Sequence, residues 1–550
     1  MIFALMQQNP IVGALEHNAQ LLREGRTQAQ AKGATCLVAS ELFLTGYPPE
    51  DLILKASFIA RCRTLVEELV RETSDGGPAI IFGAPWVENG QLYNSVIAAE
   101  GGQFSVRHKV HLPNYAVFDE MRLFTSGPMP EPVEINGLSI GLPICEDIWF
   151  SDVCAHLKSR GAEILISPNG SPYEHGKHMR RLEHVRHRAQ ETQLPFVYVN
   201  QYGGQDELVF DGRSFVVNKE GAIMLEMAAW ETAFETITFP LAPDSQRFAQ
   251  DRSVEEDRLS DMYHAAMVGL RDYVEKNKFP GVLLGLSGGV DSAICAAIAA
   301  DALGASRVHC VMLPSVYTSQ SSLDDAIACA SQLGVRLDTV SIKDMVRAGE
   351  DTLAPIFGDR APDVTEENIQ SRIRGTLLMA ISNKLGSMVV TTGNKSEVSV
   401  GYSTLYGDMN GGYNPIKDIY KTDVFALCDW RNAHLPVGSR LDKLDIIPKV
   451  IIEKPPSAEL RDDQKDEDSL PPYDILDGIL QALVEGECSF DEIVSQGFDP
   501  ELVKRIEHLL YVSEYKRRQS APGPKVGHKN FGRDRRYPIT NGFRDARLKG

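Results

Sequence analysis

Residues 282–304 read VLLGLSGGVDSAICAAIAADALG, and residues 308–313 follow as VHCVML. A short apolar strand, a glycine-rich turn, a mostly apolar helix and a second apolar strand make a βαβ unit, which implies a parallel sheet. The turn holds Gly285, Leu286, Ser287, Gly288, Gly289, Val290, Asp291 and Ser292. It falls where free backbone N–H groups and the positive end of the helix dipole favour a phosphate group. Its glycines let the backbone come close to the anion, and Ser287 and Ser292 can donate hydrogen bonds to it. Asp291 cannot donate to a phosphate, so its expected role is to hold Mg²⁺. Neither GxxxxGK[ST] nor GxGxxG is present, which removes the ordinary P-loop NTPase and the Rossmann dehydrogenase.

Upstream, Leu259, Met262, Tyr263, Ala266, Leu270, Tyr273 and Val274 form an amphipathic helical stripe that opens a new core. Before it, PLAPDSQRFAQDRSVEED at 240–257 is polar and proline-containing and reads as a linker. The first half alternates helical patterns with the short apolar strands CLVAS, AIIFGAPW, LSIGLPIC, ILISPNG and FVYVN, the mark of a layered α/β domain. The expected division is therefore 1–242, a linker at 243–258, and 259–550.

Downstream, Asp363 and Glu366 give a helix-start pattern, and Gly386 is placed to end that helix. Asn368 and Arg372, four residues apart, share a face of it. The expected strand SMVVTT then runs into GNKSEVSVGYSTLYGDMNGGYNPIKDIYKTDV. Polar groups clustered after a parallel strand lie at the carboxyl edge, where α/β sheets bind ligands. The acidic stretch at 459–468, flanked by Pro455 and Pro456 and by Pro471 and Pro472, reads as a mobile loop that orders over ligand if it serves as a lid.

Three segments of the first half carry amidase chemistry: Glu41 in ASELFLTGYPPEDL, Lys109 in RHKVHLPNYAVFDEMRLF and Cys145 in GLPICEDIWF. A thiolate is a good nucleophile, a carboxylate can take and return its proton, and an ammonium can stabilise an oxyanion. Singly, a Cys after an apolar strand is usually buried filler, and a Glu or Lys is usually a surface charge.

With 550 residues, 43% hydrophobic and 24% charged, the chain has an ordinary globular composition and room for two large domains. Its net charge of −19 argues against a nucleic-acid binder. The segment from Lys516 onward is basic in this acidic protein and is expected to face a polyphosphate. Nine scattered cysteines without a CxxC pair fit reduced thiols. No leader pattern is read, and no apolar run approaches the ~20 residues that span a bilayer, so no membrane partner and a cytoplasmic location are expected.

Two resemblances assemble these parts. The SGGVDS turn resembles the pyrophosphate loop of the N-type ATP pyrophosphatases. TTGNKSE, YGDMxGGxNPIKDxYKT and KPPSAEL resemble the NAD⁺ synthetase family within it. The resemblance implies that residues 285–292, Thr392, Lys421 and Ser457 contact ATP, and that Glu397 joins Asp291 near Mg²⁺. It also implies that Asn368, Arg372, Glu397 and Lys516 bind deamido-NAD⁺. The first half is similar to the nitrilase superfamily, specifically the glutaminase domain of glutamine-dependent NAD⁺ synthetases. That likeness implies Glu41 as base, Lys109 as oxyanion support, Cys145 as nucleophile and Glu120 as an orienting acid. Tyr115, Ser171 and Lys177 match glutamine-contacting positions. Ser40, Gly170 and Leu123 depart from the pattern, standing where Pro, Ala and Tyr are expected.

The implied folds are a four-layer αββα nitrilase-like domain and a parallel-sheet adenine-nucleotide α-hydrolase-like domain. The implied reaction is ATP-dependent amidation of deamido-NAD⁺ by ammonia drawn from L-glutamine, in at least a homodimer joined through the second half. A nitrilase-type hydrolase whose second domain adenylates another acid, or a nucleotide sensor with a decayed glutaminase, are the competing readings.

Overall fold

The computed structural model describes residues 1–242, 247–248, 257–461, 464, 466–468 and 470–545. Most of the linker expected at 243–258 lies outside the described residues, as do 462, 463 and 465 of the acidic stretch. The chain divides into two units, 1–256 and 257–550.

In the first unit, six strands lie in the order Ala233–Thr238, Ile2–Gln7, Cys36–Val38, Ala79–Glu88, Gln91–Glu100, Gln103–His108. A seven-stranded sheet has Phe196–Asn200, Ile164–Asn169 and Leu138–Gly141 running parallel at its middle. Successive side chains of a strand point to opposite faces. Phe3, Leu5, Cys36, Val38 and Ile81 therefore meet Ile140, Ile164, Ile166, Val197 and Val199 between the sheets. The intervening Ala4, Met6, Leu37, Ile80 and Phe82 face helices Leu15–Ala31 and Ala56–Glu72. On the far side, Leu165, Phe196 and Tyr198 face helices Asp152–Ser159 and Lys177–Thr192. Three apolar cores thus separate four layers, αββα. Strands covered on both faces read as unbroken apolar runs, which is why periodicity alone did not reveal which face each residue takes.

In the second unit, four parallel strands are ordered Arg336–Thr339, Val308–Met312, Val282–Gly285, Met388–Val389. The chain steps outward through the first three in reverse spatial order, then returns to the other side of Val282–Gly285. That reversal opens a crevice at the carboxyl ends of Val282–Gly285 and Met388–Val389. The expected strand SMVVTT is only two residues long, with Val390 bridging to Tyr413. Helix Val290–Leu303 is apolar all round and buried at every position except Asp291, as a helix enclosed by a sheet and other helices must be. Helix Val364–Leu385 starts with the Asp363–Glu366 capping box and ends at Gly386 in the left-handed region. Its Ile373, Leu377, Leu378 and Ile381 pack on Leu283, Val311 and Val389 of the sheet.

Of the basic segment that starts at Lys516, Lys516 itself lines the crevice. Three later charges are taken up by buried acids: Arg517 and Arg535 pair with Glu514, and Lys525 with Asp534 at 2.7 Å. Asp418 accepts the N–H groups of Val526 and Gly527 at 2.8 Å each. Of these acids only Asp418 is distant in sequence; Glu514 and Asp534 stand beside or within the run.

Behind the crevice, Arg431 and Asp301 are both fully buried and form a two-pronged pair, with Nε–Oδ2 at 2.6 Å and Nη2–Oδ1 at 2.9 Å. Tyr263 and Ser439 donate to the same carboxylate. Removing one partner leaves an uncompensated buried charge, so Asp301→Ala is expected to destabilise the second unit by about 3–5 kcal/mol. The check is the urea transition of that unit in the full chain; an unchanged midpoint would refute it.

Candidate functional site

The four segments that build the first site leave carboxyl ends of strands in both sheets. Cys145 follows Leu138–Gly141 and takes a left-handed conformation, φ 43°, at the start of the turn Cys145–Trp149. A non-glycine residue held there costs of order 1–3 kcal/mol and persists only when its surroundings fix it. Asp147 does the fixing. Its Oδ2 accepts the Ile144 N–H at 2.9 Å, and its Oδ1 accepts the Val110 and His111 N–H groups at 3.1 and 2.8 Å. One carboxylate therefore ties the Cys145 turn to the segment carrying Lys109. Burial raises the Asp147 pKa to about 6.

Lys109 is fully buried. Its ammonium donates to Glu41 Oε1 at 2.7 Å and to both oxygens of Glu120 at 2.9 Å. Asn94 Nδ2 bridges the same two acids at 2.8 and 3.3 Å. Tyr47 O–H donates to Glu120 at 2.8 Å, and the Gly170 N–H to Glu41 Oε2 at 2.8 Å. Burial alone would lower Lys109, but the Glu120 and Glu41 carboxylates outweigh it and hold the pKa well above its ordinary value. Burial raises Glu120, with Lys109 opposing. Burial, and then the Glu41 charge, push the Cys145 thiol well up, so the resting site holds a protonated thiol beside a carboxylate and an ammonium.

Tyr115 O–H donates to both oxygens of Glu146 at 3.0 Å, immediately beside Cys145. Lys177 lies with its ammonium 5.2 Å from the Phe118 ring and acts on Glu146 through space. Ser171 is held by Arg181, whose Nε donates to its Oγ at 3.0 Å and whose Nη1 pairs with buried Asp211 at 2.8 Å. Gly170, one of the sequence departures, has a physical counterpart: a Cβ there would lie 2.8 Å from the Tyr47 ring. Ser40 Oγ is buried without a hydrogen-bond partner among the described residues. Leu123 packs with Tyr47 and Phe124. Sequence reasoning missed Asn94, Tyr47 and Glu146: Asn94 comes from another segment, while Tyr47 and Glu146 lie within the segments that carry Glu41 and Cys145.

In the second unit a cavity of about 470 Å³ is lined by residues 285–292 together with Thr392, Glu397, Lys421, Ser457, Asn368 and Lys516. Within the loop, Ser287 and Ser292 hydroxyls lie 3.1 Å apart, and Ser287 Oγ accepts the Gly289 N–H at 3.2 Å. Gly288 has φ 82°, and a Cβ there would lie 2.3 Å from the Ser322 carbonyl oxygen, so both conformation and space demand glycine.

Lys421 is buried and donates to Asp291 and, at 3.1 Å, to Glu397. Asn394 holds Asp291 Oδ1 at 2.9 Å and caps the short helix Lys395–Val400 through Glu397 N–H. Burial raises the Glu397 pKa to about 8, with Lys421 opposing. Asp466, which accepts from Tyr473 at 2.9 Å, adds a third acid around Lys421. Asn368 accepts from Thr404 at 2.8 Å, Lys516 donates to the Gly401 and Ser403 carbonyls, and Ser457 donates to the Gln464 carbonyl.

Arg372 is exposed and lies outside the cavity lining, its Nε 3.3 Å from the Leu405 carbonyl. Arg374, two residues on, lines the cavity instead. Lys454 also lines it and donates to Ser322 at 2.7 Å. Among the described residues no three His, Cys, Asp or Glu side chains group to cage a metal. Two carboxylates converging on one cation position nevertheless fit Mg²⁺, which takes one or two protein carboxylates and completes its shell from phosphates and water.

Two family models match the chain: Carbon-nitrogen hydrolase over residues 3–244 and NAD synthase over residues 262–520. A glutamine-dependent NAD(+) synthetase of Rhodobacter capsulatus is 51% identical over 549 residues, covering 98% of both chains. Its counterpart in Acinetobacter baylyi is 42% identical over 544 residues, again with 98% of each covered. The solved glutamine-dependent NAD+ synthetase from Acinetobacter baumannii, in complex with adenosine diphosphate, superposes with a TM-score of 0.76 at 40% identity and 99% coverage of each chain. One from Cytophaga hutchinsonii shares the fold, with a TM-score of 0.81 at 21% identity and 100% and 98% coverage. Nearly the whole length of both partners takes part in these likenesses, and the chain belongs to the glutamine-dependent NAD(+) synthetase family.

Proposed function

We propose that the chain makes NAD⁺ from deamido-NAD⁺ and ATP, using ammonia that its first unit releases from L-glutamine. The observation that carries this reading is the presence on one chain of two unlike sites. One is a buried thiol beside a carboxylate–ammonium–carboxylate clasp, and the other is a glycine-rich phosphate loop with paired acids.

In the first unit, Cys145 Sγ attacks the side-chain carbonyl carbon of glutamine while Glu41 takes the thiol proton. Lys109, kept charged by Glu41 and Glu120, stabilises the oxyanion. Glu41 returns the proton to the leaving nitrogen, and ammonia departs to leave a thioester. Water, deprotonated by Glu41, then cleaves the thioester to glutamate and regenerates the thiol. Glu120 orients Lys109. Tyr115, Ser171 and Lys177 hold the amino acid, Tyr115 and Lys177 doing so around Glu146.

In the second unit, the nicotinate carboxylate of deamido-NAD⁺ attacks the α-phosphorus of ATP and expels pyrophosphate. Residues 285–292, Thr392, Lys421 and Ser457 contact ATP, and the loop amides with Ser287 and Ser292 receive the pyrophosphate end. Asn368, Glu397 and Lys516 bind the dinucleotide, with Arg372 beside them at the cavity's outer margin. Asp291 and Glu397 would hold Mg²⁺, which supplies charge compensation on the phosphate oxygens. Ammonia then attacks the mixed anhydride at its carbonyl carbon and AMP leaves. The domains are 1–242 and 259–550, the assembly is at least a homodimer joined through the second unit, and nine free thiols suit the reducing cytoplasm.

Cys145→Ala is expected to lower glutamine-dependent NAD⁺ formation by at least ~10³-fold and to leave synthesis from ammonium salt largely intact. Loss of both activities in folded protein would count against the division of labour. Asp291→Ala should cut synthesis from either nitrogen source by about 10²-fold or more, because both share the phosphate step; wild-type rates would remove Asp291 from the mechanism. Ammonia from glutamine is expected to reach the adenylate without mixing with solvent, where it would be largely protonated. Glutamine labelled at its amide nitrogen, supplied with excess unlabelled ammonium, should place label in NAD⁺ well above the bulk-pool fraction by mass spectrometry. Label at that fraction defeats the idea.

A further inference from the structure

Deep guanidinium groups in the second unit are paired with carboxylates: Arg431 with Asp301, and Arg517 and Arg535 with Glu514. Arg374 is different. It lines the cavity, and its Nε donates to the Leu313 carbonyl at 3.0 Å. Among the described residues, its two terminal nitrogens have no hydrogen-bond or ion-pair partner. Burial lowers its pKa to about 10, and Glu459 and Asp408 oppose that only through space. A desolvated cation without a counter-charge is costly, and such a group gains most from an anion arriving with its ligand.

Its position says which anion. Val364, Glu367, Ser371, Arg374 and Leu378 recur at spacings of three and four, forming the stripe of helix Val364–Leu385 that lines the cavity. Arg374 is hooked by its Nε to the residue following strand Val308–Met312, one neighbour of the strand that carries the phosphate loop. Lys421 is tied to Asp291, at the end of that loop, and to Glu397, beyond the other neighbour, Met388–Val389. The two cations thus belong to opposite flanks of the loop. Because Nε is anchored to protein, the planar fork presents its remaining donors in a fixed direction, which suits phosphoryl oxygens better than a flexible ammonium would.

We propose that Arg374 is a phosphate-binding residue of this cavity, its guanidinium taking a phosphoryl oxygen of bound ATP. The proposal rests on the nucleotide reading given above. Phosphates of the dinucleotide have the same chemistry, and the experiment separates the two sources.

R374Q and R374K are assayed with ammonium as nitrogen donor, ATP and deamido-NAD⁺ being varied in turn, and ATP binding is measured by equilibrium dialysis. The expected result for R374Q is at least about a tenfold rise in KM for ATP, with matching loss of ATP binding and no change in KM for deamido-NAD⁺. R374K should fall between, and added guanidinium ion should partly restore R374A, a response that a purely structural role would not give. Unaltered ATP binding and KM in R374Q overturns the proposal, as does a defect confined to deamido-NAD⁺. Wild type run alongside keeps the failures distinct: no NAD⁺ from wild type defeats the functional reading, whereas a wild-type-like R374Q defeats only the proposal. Should R374Q misfold by its thermal transition, R374K and the guanidinium rescue still decide.

Discussion

A buried ammonium shared by two carboxylates recurs at three points in the described residues of this chain. Lys109 lies between Glu41 and Glu120, Lys421 between Asp291 and Glu397, and Lys395 between Asp418 and Glu485. An isolated charge at such depth is expensive, and a single pair only partly repays its desolvation. Sharing one cation between two acids supplies enough field to keep the lysines protonated, as the raised values of all three record. The same arrangement serves different ends. Around Lys109 it holds two carboxylates together beside a thiol, and around Lys421 it keeps two acids together that would otherwise repel. Around Lys395 it stitches the loop after Met388–Val389 to the C-terminal segment, where Lys529 N–H reaches Glu485 and Asp418 gathers two further amides.

Much of this was legible in the sequence, because its chemistry is local. The SGGVDS turn sits between a strand and a helix whatever else surrounds it, and the Asp363–Glu366 cap is read from four residues. Glu41, Lys109 and Cys145 each stand in a recognisable segment. What the sequence withheld depends on distant partners. Asn94 and Tyr47 carry no signal of their own and acquire meaning only when their strand and loop reach the acids. Glycine at 170 reads as a departure until the Tyr47 ring is seen against it. The basic segment after Lys516 reads as a polyphosphate surface because composition does not show that Glu514, Asp534 and Asp418 wait beneath it.

The pair Arg372 and Arg374 shows how fine the limit is. Spacing of four correctly places Asn368 and Arg372 near one another: Asn368 accepts from the Thr404 hydroxyl and Arg372 donates to the Leu405 carbonyl. The cavity-lining stripe, however, drifts the other way around the helix through Ser371 to Arg374. A difference of two residues turns a side chain from solvent into the cavity. The packing of Ile373, Leu377, Leu378 and Ile381 on the sheet determines which.

The first site is divided between two sheets. Glu41 and Lys109 extend from one, Cys145 and Gly170 from the other, and the Gly170–Glu41 hydrogen bond with the Asp147 tether joins them across the gap. The thickness of the apolar layer between the sheets is therefore a dimension of the reacting group itself. Phe3, Leu5, Ile164 and Ile166 act as spacers between the Cys145 thiol and the Glu41 carboxylate. A methylene lost from that layer costs a modest amount of folding energy, about 0.5–1.5 kcal/mol for Ile to Val. It also lets one half of the constellation settle toward the other, and reaction geometry is sensitive to ångström-scale misplacement. The volume of this core is thus a constraint on distance as well as on folding energy, so a substitution can leave the fold standing and still shift the thiol relative to the carboxylate.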